Sequence, residues 1–149
     1  MSLAEADATV SDVEAIRAII DAIAAAAYRK DAAAMARHYA PGAVIADLAP
    51  PLLSRGYDVA KAQGWLDNWD GPVEIEMRDL TVEADGNLGL CHALQYVRAR
   101  TPQGEEAAWW SRVTLTFART GDAWQITHEH NSVPFHMDGS YRAAVDLDP

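Results

Sequence analysis

Trp124-Gln125-Ile126-Thr127-His128-Glu129-His130-Asn131-Ser132-Val133-Pro134, preceded along the chain by Arg112-Val113-Thr114, is the stretch whose reading decides the fold. Residues two apart on an extended strand share a face. Unbroken alternation therefore puts Trp124, Ile126, His128 and His130 on one side and Gln125, Thr127, Glu129 and Asn131 on the other. The first row predicts a strand that runs out of an apolar core and ends in a pocket with two imidazoles. The second row is expected to face water or another subunit.

Outward from this strand, turn signals cut the second half of the chain into further strands. Gly121-Asp122 separates the last strand, over 123–133, from one over 105–119, and Thr101-Pro102-Gln103-Gly104 separates that from one over 88–100. Before Asp85-Gly86-Asn87, Val73, Ile75 and Met77 alternate with charged residues, and the phase then shifts to Leu80 and Val82, which predicts a bulge near Arg78-Asp79. The first half reads as helices. Ser11-Asp12-Val13-Glu14 has the form of a capping box, and Ile16, Ile20, Ile23 and Ala27 follow at helical spacing to about Tyr28. Asp31 can cap a short second helix through Tyr39, ended by Pro41-Gly42. A strand over 43–48 then runs to Pro50-Pro51, and a third helix over 57–69 places Ala62, Trp65, Leu66 and Trp69 on one side. Three helices packed on long antiparallel strands make an α+β domain. Long bulged strands curl, so the expected shape is a cone enclosing a pocket.

Length and charge bound the function. A chain of 149 residues, half of them hydrophobic, makes one domain over 1–149, with 1–10 expected to be flexible and 137–149 an irregular tail. A formal charge of -10, with no cluster of Lys and Arg to offset it, argues against nucleic acid and anionic membrane surfaces as partners. Cys91 is the only cysteine, which suits a reducing compartment. Glu5 and Asp7 stand where a signal peptide would carry Lys or Arg, and the apolar run over 22–28 is too short to cross a bilayer. A cytoplasmic location is the expectation.

The order of elements resembles the nuclear transport factor 2-like or ketosteroid isomerase-like cone, and the residue string resembles its SnoaL-like branch. The resemblance rests on Asp47 with Pro50-Pro51, Gly71 to Glu74, Arg112 with Thr114, and Trp124 to Pro134. It implies a small-molecule pocket and a proton-transfer role for Asp47, which matches the position of the isomerase's general base. The isomerase's oxyanion pair does not carry over, since its positions fall on Ile23 and near Val113. Steroid isomerisation is thereby not the expected reaction, and the fold also hosts cyclases, hydrolases, binding modules and oligomerisation domains.

Ala46, Leu48 and Ala49 surround Asp47 with apolar neighbours, and a carboxylate deprived of hydration becomes a better proton acceptor near neutrality. His130, His128 and Arg112 are the expected partners that stabilise developing oxygen charge on a small apolar carbonyl substrate. Arg112 shares its strand face with Trp110 and Thr114, so it reaches a cavity only through a bulge; otherwise it forms an ion pair on a neighbouring strand. Trp65, Tyr96 and Trp110 are candidate cavity-mouth residues, followed by His92, Tyr28 and Trp69, although aromatics equally dominate cores and dimer interfaces. His128, His130 and His92 could alternatively form a three-His zinc site, but related cones work without metal, and no metal or cofactor is expected. The competing reading is a non-catalytic ligand-binding or homo-oligomerisation module, like the association domain of calmodulin-dependent kinase, whose last strand carries a similar Trp-x-x-x-His-x-His pattern. Either way, a small-molecule ligand and a homodimer joined through the outer sheet face are the expected partners.

Overall fold

The computed structural model describes residues 3–149, with side-chain placement from Asp12 onward. Its elements run α1 (Leu3–Tyr28), α2 (Ala32–Ala36), β1 (Tyr39–Ala46), β2 (Ser54–Arg55), α3 (Val59–Asp67), β3 (Glu74–Asp85), β4 (Leu88–Arg100), β5 (Glu106–Thr120) and β6 (Ala123–Ser132). The α+β expectation holds. Helix α1 begins before Ser11, because the preceding Ala4, Glu5, Ala6 and Ala8 favour helix and no Gly or Pro interrupts them. The Ser11 hydroxyl of the expected capping box lies outside the described side chains.

Local chemistry sets the other helix starts. The Asp31 carboxylate accepts the Ala34 amide at 3.0 Å and opens α2, and Asp58 accepts the Lys61 amide at 3.0 Å and opens α3. Gln63 then clamps the two helices together, accepting from the Ala32 amide and donating to the Lys30 carbonyl. The short second helix ends at Ala36 rather than Tyr39, which releases Tyr39 into β1.

The six strands form one curved sheet in the order β2-β1-β6-β5-β4-β3, antiparallel except for the β1–β6 pair. The bulge expected near Arg78-Asp79 is present: the register against β4 shifts between Arg78 and Thr81, and Asp79 takes φ +56. A second break falls at Thr127. Phe117 pairs with Ile126 but Thr116 pairs with His128, so Thr127 is an extra residue on β6. The β1–β6 register also shifts over the same span, between Tyr39 and Val44.

All three helices pack on one face of the sheet, and no described helix packs on the other. Ile16 and Ile20 of α1 join Ile45, Cys91, Ala93, Val113, Leu115, Phe117, Trp124 and Ile126 in a first hydrophobic cluster. Leu66 of α3 and Ala32 of α2 join Val73, Val97 and Ala99 in a second. Burial of a side chain the size of Phe117 or Ile16 stabilises the fold by about 1.5–3 kcal/mol each. Gly89 lets α1 sit close, since a Cβ there would lie 2.5 Å from Ile16 Cδ1. Arg119 on β5 binds Asp12 of α1 at 2.6 Å and fixes the helix along the sheet. No described helix is long and apolar enough to cross a membrane.

Candidate functional site

The extra residue at Thr127 decides what enters the cone. On the β6 segment before it, Trp124 and Ile126 face inward and are buried; beyond it, the inward phase passes to Glu129, opposite Leu115, and Asn131, opposite Val113. His128 and His130 turn outward, opposite Thr116 and Thr114. This corrects the unbroken alternation read from the sequence, in which the imidazoles faced inward and Glu129 outward. Thr127 is held in its displaced position by a 2.8 Å hydrogen bond between its hydroxyl and that of Thr116.

Inside the cone Glu129 meets one phenol, and a second stacks against the first. The Tyr39 hydroxyl donates to Glu129 Oε1 over 3.2 Å, and the Tyr39 ring packs on Tyr57 with centroids 4.4 Å apart. Tyr57 donates only to the Met35 sulfur at 3.7 Å, a weak acceptor that leaves its hydroxyl available to a better one. Glu129 as a residue is half-buried, but its carboxyl group is enclosed, and loss of hydration pushes its pKa from 4.5 up to about 7. The nearby Asp47 charge pushes the same way, against hydrogen bonds from Tyr39 and Asn131 that favour the carboxylate. Burial and the same two acids raise the Tyr39 and Tyr57 phenols as well, so both stay protonated as donors. A carboxyl that is about half ionised at neutral pH, beside two proton-holding phenols, can take up and return a proton.

Asp47 follows β1 on the edge of this cluster. Its residue is exposed and its carboxylate accepts the Leu48 amide at 2.7 Å, so it reaches the interior by charge rather than by enclosure. The remaining expected site residues lie elsewhere. His92, opposite Thr114, and His130, also opposite Thr114, are on the outer face on either side of β5, about 10 Å apart from two strand spacings. His128 is tied by Nδ1 to the Val44 carbonyl at 2.7 Å. The three imidazoles therefore do not converge, and among the described residues no three His, Cys, Asp or Glu side chains gather closely enough to hold a metal ion. No bulge turns Arg112 inward: it is exposed on the outer face and donates to Ser132 Oγ at 3.1 Å, not to Glu129. Tyr96 stacks on Trp110 at 4.8 Å on that same face, with the Arg78 guanidinium 4.7 Å above the indole. Trp69 packs between Trp65 and Trp109 in the α3 cluster, Trp65 is partly exposed, and Tyr28 is exposed at the end of α1.

Tyr39, Tyr57, Glu129 and Asn131 were missed. Each sat in a segment read for another purpose: Tyr39 and Tyr57 as helix boundaries, Glu129 and Asn131 as the solvent row of the last strand. Two surface grooves lie apart from the cluster. One, of about 410 Å³, is lined by Asp70, Glu74, Arg98, Arg100 and Glu106; the other, of about 460 Å³, lies between the end of α1 and the start of β3.

Comparison with known proteins matches this geometry to a family. The SnoaL-like domain pattern fits residues 16–136. A solved nuclear transport factor 2-like protein of unknown function from Pseudomonas putida KT2440 is 30% identical, with 95% of this chain and 99% of that one covered and a TM-score of 0.83. A proposed dehydratase of the same superfamily from Streptomyces avermitilis superposes with a TM-score of 0.73 at 17% identity over 83% of this chain and 97% of its own. A proposed calcium/calmodulin-dependent protein kinase II association domain from Xanthomonas campestris gives 0.69 at 17% identity over 78% and 84%. These last two share the fold. No curated protein matches the chain in sequence. With four-fifths of its length inside one domain pattern and a near full-length relative at 30% identity, the chain belongs to the SnoaL-like family within the nuclear transport factor 2-like superfamily.

Proposed function

We propose that this protein is a small-molecule enzyme in which Glu129 carries the proton. The observation that supports it is a single one: an enclosed carboxyl with its pKa near 7, in contact with a phenol and within reach of the Asp47 charge. Tyr57, and Tyr39 once its single O–H turns from Glu129, donate hydrogen bonds to the carbonyl oxygen of the substrate. The Glu129 carboxylate removes a proton from the adjacent carbon, and the electron pair of that C–H bond moves onto the oxygen as an enolate held by the phenols. Return of the proton to another carbon completes an isomerisation, and departure of a β-hydroxyl, protonated by the same carboxyl, completes a dehydration. Asp47, the acceptor that the family resemblance points to, acts in this reading through its charge, which keeps Glu129 basic. His128, His130 and Arg112 take no part in the proton transfer.

The test is proton exchange in D2O, followed by NMR, for a panel of small aryl and cyclic ketones. The expected result is exchange at the carbon beside the carbonyl, reduced on the order of 10²-fold or more by Glu129→Gln and less by Asp47→Asn. Exchange no faster than buffer, or unchanged in Glu129→Gln, overturns the catalytic reading and favours a ligand-binding module.

A second reading, homodimerisation through the uncovered sheet face, coexists with the first. It is supported by the Tyr96–Trp110–Arg78 stack, which leaves aromatic surface on a face no helix covers. The fold likeness to a kinase association domain is in keeping with it.

A further inference from the structure

The inner face of the sheet is apolar at both ends and polar across the middle. On β4, Gln95 lies between inward-facing Ala93 and Val97; on β5, Ser111 lies between inward-facing Trp109 and Val113. Gln95 pairs directly with Ser111, and Asn131 pairs with Val113, one inward position along from Ser111. A polar band thus separates the cluster under α1 from the cluster under α3 and leads to Glu129. Apolar residues at these positions would have fused the two clusters into one core.

This band is not satisfied by the protein. Ser111 is 3% exposed and its Oγ has no hydrogen-bond partner; Asn131 Oδ1 is enclosed and also has none. An enclosed polar atom without a partner costs free energy comparable to that of a lost hydrogen bond, so such atoms are uncommon away from sites with a use for them. Asn131 is already divided in its contacts. Its side chain hydrogen-bonds the Glu129 carboxylate, which employs the amide N–H and leaves the oxygen as a free acceptor.

We infer that Asn131 Oδ1 and Ser111 Oγ form a second subsite, which takes a hydrogen-bond donor carried by the same ligand whose carbonyl sits at Tyr39. This rests on the reading of Glu129 and Tyr39 given above. The ligand class is then a hydroxylated carbonyl compound on a compact apolar frame. The Cα atoms of Glu129 and Asn131, successive inward positions on one strand, are about 7 Å apart, and Ser111 lies one inward position further along β5, so a substituted six-membered ring spans the way from Tyr39 to the second subsite. Val113 and Ala93 beside the band supply apolar contact for that ring.

Five probes test this: acetophenone, its 3′- and 4′-hydroxy derivatives, and its 3′- and 4′-methyl derivatives, with binding measured by calorimetry. One hydroxy isomer is expected to bind on the order of 10-fold more tightly than the methyl compound of the same substitution. That ratio should fall to near one in Ser111→Ala or in Asn131→Ala, both read because the second also removes a bond to Glu129. Hydroxy and methyl compounds that bind equally, while Tyr39→Phe still weakens acetophenone, overturn the second subsite and leave the first reading standing. A hydroxyl preference that survives both variants also overturns it. If Ser111→Ala lowers the melting temperature and no hydroxyl preference exists, the band is a structural water site. Failure of all five ketones to bind overturns both readings together.

Discussion

Replacement of Glu129 by Gln keeps the size and the acceptor for Tyr39 but removes the titration, so it isolates the cost of the buried charge. In the folded protein the Glu129 pKa stands at about 7 against 4.5 for an unperturbed carboxyl. Between those values the unfolded chain has lost its proton while the native protein still holds it. Stability from this group is therefore fully present below about pH 4.5, falls as pH rises, and levels off above about pH 7. At about 1.36 kcal/mol per pH unit the loss is about 3 kcal/mol. Glu129→Gln does not titrate, so its stability relative to wild type should rise by about that amount between pH 4.5 and 8. Urea denaturation read by the fluorescence of the five tryptophans, at one protein concentration and a series of pH values, measures it directly. Asp47 is the second cause of the rise, after desolvation, so Asp47→Asn should shrink the wild-type loss and move it to lower pH. Wild-type and Glu129→Gln curves that stay parallel across this range would refute the enclosure of the Glu129 carboxyl, and the proton-transfer reading with it.

Sedimentation equilibrium at micromolar concentration should give about twice the 16.2 kDa chain mass, with Trp110→Glu shifting it toward one chain; a monomer in the wild type refutes the dimer. Gly89→Ala should cost roughly 1–3 kcal/mol in urea denaturation, because its Cβ would displace Ile16; no loss would mean that α1 gives way freely. Asp58→Ala should cost about 1 kcal/mol through loss of the α3 cap, and Asp58→Asn should restore most of it, with thermal unfolding as the readout.

The sequence by itself determined the three helices, the five longer strands and their order, though not the two-residue strand β2. Strand β4 matches the expected span 88–100, the shift near Arg78-Asp79 is where the pattern of Val73, Ile75, Met77, Leu80 and Val82 put it, and Asp31 caps as expected. These features rest on local periodicity and on side-chain contacts within a few residues, which the chain carries in its own order. The family was legible for the same reason, since its signature lies in contiguous strings such as Trp124 to Pro134.

Only the tertiary structure decided which face of β6 enters the cone. A strand has a period of two, so one extra residue exchanges its faces. Thr127 is that residue, and what reveals it is the pairing of Phe117 with Ile126 and of Thr116 with His128, a relation between two strands that neither strand's own pattern contains. Tyr39 and Tyr57 came together in the same way, from opposite sides of the short strand β2 and across 18 positions of chain, by the packing of their rings. The pKa of Glu129 belongs wholly to this level, because desolvation and the charge of Asp47 act through space and only after the sheet has curled around them.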